Sequence, residues 1–348
     1  MAARKVLIYL AEPHIGELER ILARHCRRFW REAVPGGLEK YSCIVQQRYT
    51  ERLLNNLDAS FGADPEFHAH VEMLDAVLPP VTEDAASELP LDTDLKPPTA
   101  LERFFSRDRL STDEIYEDID ESLHITPSYL LMVTLSALIA GLGMRSGQTA
   151  VVIGAMIIAP LLGPTMGLAL AATVGNGQLG LRAAGTLAIG CVFAVLAGVA
   201  LGLLVQIDPL VPELRNRTIV QPSDVALALA CGAAGVLAFT RGASLSLVGV
   251  MIAVALVPPL AAIGIYLGAG YTLAASGALF LFAVNLVCVN VAGIAMFLIQ
   301  GLPPKNWRMT GGILTVWAVI LILLTSMMVG RIFLGFGSWD RVLANLSG

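Results

Sequence analysis

Apolar residues follow two different patterns along this chain. Up to residue 80, short apolar stretches recur at the spacing of strands and helices, and beyond residue 127 long apolar runs predominate. The first part predicts the element order β-α-β-β-α-β, which is the split-βαβ plan of a soluble, α+β ferredoxin-like domain over residues 1–80. Its predicted strands cover 5–12, 27–34, 41–48 and 67–80, and its helices cover 15–26 and 49–62.

Residues 81–126 connect this domain to the apolar part of the chain. A polar, proline-containing linker comes first, and a short amphipathic helix follows it. Ser111 and Glu114 have the spacing of a capping box at the start of that helix. Its apolar face suits packing against the membrane domain or against another copy of the chain, and it consists of Ile115, Tyr116, Ile119 and Leu123.

The long apolar runs predict a multi-pass α-helical membrane domain over 127–335, followed by a tail over 336–348. Each run is long enough to cross a bilayer, which takes ~20 residues per helix. The predicted spans are seven, at about 127–144, 148–175, 180–206, 223–240, 244–269, 272–300 and 310–335.

Two of these runs resemble each other. Residues 147–167 match the first 21 residues of 242–264 without a gap, and every matched pair is 95 residues apart. This separation holds three spans, so we expect an inverted 3+3 repeat, with units over 127–206 and 223–300 and an extra span over 310–335. The matched pairs include Gly147 with Gly242, Gly154 with Gly249, Met156 with Met251 and Pro164 with Pro259.

Prolines fall inside both members of this repeat. Proline interrupts a helix, and Gly/Pro-interrupted spans at corresponding places in two halves point to a transport site near mid-membrane. The alternative is simple packing, because Gly and Pro are common in membrane helices. The candidate substrate-binding residues are Gly154, Pro160, Pro164, Thr165, Gly249, Pro258, Pro259, Asn285 and Asn290.

Charge and composition exclude several functions. Hydrophobic residues make up 55% of the chain, and the net charge of −5 does not favour nucleic acid. The spans lack Asp, Glu, Lys and His near mid-membrane, so a proton relay and an enzyme active site are both disfavoured. His14, His68 and His70 fit ordinary surface histidines better than a metal site, and no cofactor or metal is expected.

Cationic residues favour a cytoplasmic N-terminal domain and insertion in the cell (inner) membrane. With that orientation the inner side holds Arg103, Arg107, Arg109, Arg182, Arg241, Lys305 and Arg308, and the outer side holds Arg145, Arg215, Arg217, Arg331 and Arg341. The expected partners are the lipid bilayer, a small solute or ion, and further copies of the chain in a homo-oligomer.

Several stretches resemble domain-of-unknown-function family 389, a group of prokaryotic membrane proteins. The stretch SALIAGLGMRSGQTAVVIGAMIIAPLLGPTMGLALA carries the resemblance, together with LDAVLPP, STDEIYEDIDESLHITPSYLLM and LVPPLAAIG. Where that family usually has an Asn-Ser pair, this chain has Arg145-Ser146-Gly147. The resemblance implies a multi-pass membrane protein and names no substrate.

These observations favour a transporter or facilitator of a small solute or ion. A channel or receptor gated by the N-terminal domain is the main alternative, because a soluble module precedes the spans. A membrane scaffold without transport is the third.

Overall fold

The computed structural model describes residues 3–11, 14–26, 29–34, 38–74, 110, 112–243, 245–302 and 307–333. The chain forms two compact units, Met1–Ile115 and Tyr116–Gly348. Most of the predicted linker, including residues 81–109, lies outside the described residues.

The first unit contains the predicted small antiparallel sheet. Its strands have the order β2-β3-β1-β4, and every neighbouring pair is antiparallel. The strand β1 is therefore central, and it pairs with the third and fourth strands. The elements are β1 Ala3–Ala11, α1 Ile15–His25, β2 Phe29–Val34, β3 Leu38–Gln46, α2 Gln47–Phe61 and β4 His68–Leu74.

The two helices cover one face of this sheet. Alternate residues of β1, including Ile8 and Leu10, are fully buried because side chains of a strand alternate between its two faces. Leu22 of α1 and Leu57 of α2 belong to the same buried cluster. This cluster is the hydrophobic core of the first unit.

The second unit is helical. The amphipathic α3 straddles the division between the units, and a short α8 lies in the loop before α9. The helices are α3 Thr112–Ser122, α4 Pro127–Arg145, α5 Thr149–Ile158, α6 Leu162–Val174, α7 Gly177–Leu204, α8 Pro212–Arg215, α9 Pro222–Phe239, α10 Leu245–Gly268, α11 Thr272–Ile299 and α12 Trp307–Phe333.

Four of the described helices are long and apolar enough to cross a membrane: α4, α7, α9 and α11. A fifth span is present if α5 and α6 are counted together, since they join at a bend of 61°. Two further apolar stretches, Ile252–Gly268 and Gly311–Leu324, are shorter. The structure thus supports a multi-pass membrane protein with four or five spans in its described part, whereas the sequence predicted seven.

Glycines bring α7 and α10 into close contact. A Cβ atom added to Gly264 would lie 2.7 Å from the Cα of Gly198, and one added to Gly268 would lie 3.1 Å from the Cα of Gly202. Both helices carry these glycines four residues apart, which is the small-residue spacing typical of close membrane helix pairs. Because both residue numbers rise together, α7 and α10 run in the same direction.

The predicted break at Pro258 and Pro259 is wrong, because α10 continues through both prolines. Pro259 has no N–H to donate to the carbonyl of Ala255, one helical turn earlier. The side-chain Nδ2 of Asn285 on α11 donates to that carbonyl instead, at 2.8 Å. A neighbouring helix thus satisfies the carbonyl that Pro259 frees, and the helix continues through both prolines.

Candidate functional site

The one described break in an apolar helix pair lies between α5 and α6. Residues 159–161 are not helical, and Ala159 is extended, with φ −69° and ψ 118°. The ten residues of α5 extend only ~15 Å, about half of a hydrocarbon core. The polypeptide therefore leaves the helical conformation between two apolar helices.

The beginning of α6 is buried and uncapped. Leu162, Pro164 and Thr165 are buried, and Leu161 at the N-cap has no side-chain hydrogen bond. The first N–H groups of a helix have no acceptor within the helix. The N–H groups of Leu162 and Gly163 are consequently donors at the positive end of the α6 dipole.

The end of α5 presents carbonyl acceptors. The hydroxyl of Ser136 on α4 donates to the carbonyl of Ala155 at 2.7 Å. Pro160 has no N–H, so it cannot donate to the carbonyl of Met156. The break therefore combines donors from α6 with an acceptor from α5.

The other predicted site residues of these two helices have different surroundings. Thr165 donates its hydroxyl to the carbonyl of Leu161 at 2.7 Å, within its own helix. A Cβ atom added to Gly154 would meet nothing within 4 Å, so no close approach requires a glycine there. Gly249 of α10 does lie at the break, because a Cβ atom on it would be 3.9 Å from the Cβ of Leu162.

Asn285 and Asn290 are buried on α11. Their exposed fractions are 6% and 0%, respectively. The Nδ2 of Asn285 donates to Ala255, and that of Asn290 donates to the carbonyl of Leu286 at 2.8 Å. Each Oδ1 is buried without a hydrogen-bond partner in the described part of the chain. Both asparagines thus retain a free acceptor inside the helical unit.

Sequence reasoning missed two features near these residues. Gln300 ends α11, is 1% exposed, and has neither amide atom hydrogen-bonded among the described residues. The pattern indicated only the end of a span there. The second feature is the particular partner of α3, since the sequence left the membrane domain and another copy of the chain open: a Cβ atom added to Gly163 of α6 would collide with Ser122. The spacing of Gly163 and Gly167 in GPTMG was the available signal for this contact.

Helix α3 is attached along α6 and α7 by polar contacts as well. The Nδ2 of Asn176 donates to the hydroxyl of Tyr116 at 2.7 Å, and Arg182 donates to Asp120 at 2.6 Å. The hydroxyl of Thr186 donates to the carbonyl of Leu123 at 2.9 Å.

The apolar side of α3 completes this attachment. Ile119 and Leu123 would each lie 3.3 Å from a Cβ atom on Gly167. Ile119 and Leu123 of the predicted apolar face therefore cover Gly167 of α6.

The predicted surface histidines are on the first unit. His14 lies 3.9 Å from a carboxylate oxygen of Asp64, and the ring of His70 contacts Tyr9 edge-on. His68 and His70 are both exposed on β4. Within the described residues, no group of three His, Cys, Asp or Glu side chains is arranged to hold a metal ion.

The class of protein is now defined: a helical membrane protein with a broken helix pair and a small N-terminal antiparallel sheet. The chain is similar to the family described as Domain of unknown function (DUF389), whose model matches residues 156–291. It is also similar to the uncharacterized protein MJ0678 of Methanocaldococcus jannaschii, with 29% identity over 272 residues, or 78% of this chain and 79% of the relative. No solved structure matches the chain.

Proposed function

We propose that this protein moves a small solute or ion across the cell membrane and binds it at the break between α5 and α6. One observation carries the proposal: the uncapped beginning of α6 is buried inside an otherwise regular apolar unit. Unpaired backbone groups are costly in hydrocarbon and are tolerated where they line a cavity or bind a ligand. A solute with both acceptor and donor groups would bind the N–H groups of Leu162 and Gly163 and the carbonyl of Met156, which Pro160 leaves without its helical donor.

The transport proposal includes an inverted repeat. The helices α4, α7, α9 and α11 support it, because α9 begins 95 residues after α4 and α11 begins and ends 95 residues after α7. Glycines with positive φ support it further, since four of the five described form pairs with the same separation, Gly147 with Gly242 and Gly175 with Gly270.

The direction of the helices gives independent support. The helix α5 folds back along α4, with Ser136 bonded to Ala155. The helix α4 runs parallel to α7, because Tyr129 contacts Gly190 and Gly141 contacts Leu201. Since α7 and α10 are also parallel, the matched helices α5 and α10 run in opposite directions, as an inverted repeat requires.

The remaining parts of the proposal concern the surroundings of the membrane unit. The first unit is assigned a ferredoxin-like fold, supported by its strand order and its two helices on one face. The excess of cationic residues on one side supports a cytoplasmic position for this unit and insertion in the inner membrane.

We also expect a homo-oligomer, in which apolar surfaces outside the repeat contact each other.

A gated channel or receptor is the second candidate, and the packing of α3 favours it. This helix precedes the first span and lies directly on Gly163 and Gly167, at the beginning of the half-helix that forms the break. A displacement of α3 would therefore change the surroundings of the break. In this reading, the ion pair of Asp120 with Arg182 holds the closed arrangement.

Reconstituted vesicles test the proposal. Glycerol and urea entry would be followed by light scattering, and Na⁺, K⁺ and Cl⁻ flux by potential-sensitive dye. We expect protein-dependent flux of at least one solute, and we expect Pro160→Ala to reduce it strongly. Alanine at 160 restores a donor for Met156 and allows α5 and α6 to become continuous.

The matched control is Pro222→Ala. Pro222 is exposed at the first turn of α9, where proline is tolerated, so its replacement should leave flux unchanged. Unchanged flux in a correctly folded Pro160→Ala variant would contradict a site at the break. A complete lack of protein-dependent flux across the panel would favour the scaffold.

A further inference from the structure

Residues 205–221, between α7 and α9, are attached to the rest of the helical unit near both ends. The Nε of Arg145, at the end of α4, donates to the carbonyl of Gln206 at 3.0 Å. The carbonyl of Thr218 approaches α11 so closely that a Cβ atom added to Gly277 would collide with it. This segment therefore extends from the end of α4 to the first turns of α11.

The middle of the segment, α8, contacts the beginning of α5. The hydroxyl of Thr149, the first residue of α5, donates to Oε1 of Glu213 at 3.2 Å. The other carboxylate oxygen lies 3.6 Å from the position that a Cβ atom on Gly147 would occupy. A negative charge beside the first turn of a helix interacts favourably with the helix dipole. Leu214 of α8 is fully buried, so an apolar side chain attaches α8 as well as the carboxylate.

Helix α3 has the same relation to α6, the second half of the broken pair. Its Ser122 contacts Gly163, near the beginning of α6. At the separation of 95 residues that relates the matched helices, α8 corresponds to residues 117–120 of α3, and the spans that follow begin at Pro127 and Pro222. Each of two corresponding segments is thus attached to the beginning of one half-helix of the break.

The two segments lie at opposite ends of α4. This helix begins at Pro127, shortly after α3, and ends at Arg145, which contacts residues 205–221. Its 19 residues extend ~28 Å, about the thickness of the hydrocarbon core. Ser136, near the middle of α4, bonds to Ala155 near the end of α5. The break therefore lies between the level of α3 and the level of α8.

The contact between α8 and α5 is of a kind that opens easily. The hydrogen bond of Thr149 with Glu213 is exposed, so water competes for both groups and the bond contributes little to stability. By contrast, α3 accepts a buried hydrogen bond, from the hydroxyl of Thr186 to the carbonyl of Leu123. The exposed bond can break without disturbing the packed helices.

We propose that residues 205–221 form a gate on the side of the membrane opposite α3, and that the hydrogen bond of Thr149 with Glu213 is its closing contact. This inference rests on the proposed transport function and names the element that regulates access to its site. Breaking the closing contact frees the beginning of α5, so this half-helix can move and open the break toward one side while α3 keeps α6 in place. Opening the two sides in turn around a fixed site is how transporters with inverted repeats operate.

Trypsin measures the opening of the gate without a transport assay. Arg215 of α8 is exposed, and its cleavage in the purified full chain in detergent follows the population of the opened segment. We expect Thr149→Val, which removes the hydroxyl donor and keeps the side-chain shape, to accelerate this cleavage about two- to tenfold. Thr149→Ser keeps the donor and is the matched control, so it should be cleaved at nearly the wild-type rate. Equal rates in all three proteins, or equal acceleration by both substitutions, would overturn the closing contact.

A cross-link tests whether transport requires the gate to open. The double variant Thr149→Cys with Glu213→Cys would be treated with a short bismaleimide, and its flux would be measured in reconstituted vesicles. We expect cross-linking to abolish flux in the double variant, whereas each single variant, treated in the same way, should retain it. The single variants also report any effect of reaction at the native cysteines.

The two experiments separate the gate from the proposed function. Full flux after complete cross-linking would overturn the gate and leave transport intact. A lack of flux in the untreated wild-type chain would overturn the transport proposal instead, and the trypsin result would then describe only the opening of a surface segment.

Discussion

The free energy that the hydrogen bond from Asn285 to Ala255 contributes to folding should depend on whether residue 259 is proline. Pro259 deprives the Ala255 carbonyl of its helical donor, and the Nδ2 of Asn285 replaces that donor at 2.8 Å. Asn285→Ala alone leaves the carbonyl unpaired inside the helical unit. A buried unpaired acceptor costs about 1–3 kcal/mol, although hydrogen bonds between membrane helices average only ~0.6 kcal/mol, with a maximum of ~1.7 kcal/mol.

Replacing Pro259 by alanine restores a backbone N–H one turn after Ala255. In the Pro259→Ala background the carbonyl of Ala255 has a helical donor again. Asn285→Ala should therefore lower the free energy of unfolding much less than it does in the wild-type chain. We therefore expect a coupling free energy of about 1 kcal/mol between Asn285→Ala and Pro259→Ala. Alanine at 285 also removes the unpaired Oδ1, but this effect is the same in both backgrounds and cancels in the cycle.

The measurement is the free energy of unfolding of the four proteins in mixed detergent micelles, followed by far-ultraviolet circular dichroism. The control cycle pairs Pro259→Ala with Asn290→Ala. The hydrogen bond of Asn290 is to Leu286, within its own helix, so these two changes should add without coupling. If Asn285→Ala lowers the free energy of unfolding equally with and without Pro259, Asn285 does not compensate for the donor that Pro259 lacks. The continuity of α10 would then need another explanation.

Three further predictions concern packing, folding and pH. Gly264→Ala should destabilise the micellar protein by about 1–3 kcal/mol because its Cβ would overlap the backbone of α7, whereas Gly154→Ala should be neutral or stabilising by up to ~1 kcal/mol. Residues 1–80 should fold alone, giving circular dichroism and dispersed NMR spectra of a four-stranded sheet with two helices; a disordered fragment would contradict this. Burial, and the hydrogen bond to Glu19, raise the pKa of Tyr41 from 10.0 to about 12. Its contribution to the stability of that fragment is thus complete below pH ~10 and lost as pH rises toward 12, and Tyr41→Phe should flatten this decline in a pH series of melting curves.

Local patterns predicted the elements of the first unit because each element is defined by its own residues. The alternation in β1 and the helical spacing of Leu18 and Leu22 both depend only on neighbours within the segment. Secondary structure of this kind follows from periodicity. The pairing of β1 with β3 and β4 is a tertiary property, and it followed only from the order of the elements.

Tertiary contacts decided what the sequence did not predict. Pro258 and Pro259 look like a helix break when α10 is considered alone, and the bond that replaces the donor lost at Pro259 comes from Asn285, on another helix. The contact of Ser122 with Gly163 is similar, because neither segment indicates its partner. The unpaired amide of Gln300 also depends on what surrounds it in the folded chain.

The two matched segments of the sequence carry a proline at the same place, so that proline cannot be what distinguishes them. Pro164 and Pro259 are a matched pair, yet one lies in the first turn of α6 and the other inside an unbroken helix. Four residues earlier the repeats differ: the first has Pro160, and the second has Ala255. A proline in the first turn of a helix is tolerated, and one in the interior requires its lost bond to be replaced. Both segments lack two helical donors within about one turn, those of Pro160 and Pro164 in the first and those of Pro258 and Pro259 in the second. In the second, Asn285 donates to the carbonyl that Pro259 frees, whereas in the first Ser136 bonds to Ala155 and not to the carbonyl of Met156 that Pro160 frees. The break therefore coincides with Pro160, the proline that the second segment lacks at the matching position, and with a freed carbonyl that the neighbouring helix does not satisfy. This is why Pro160→Ala, which gives the first segment the alanine that the second has at Ala255, is the change that tests whether the break has a function.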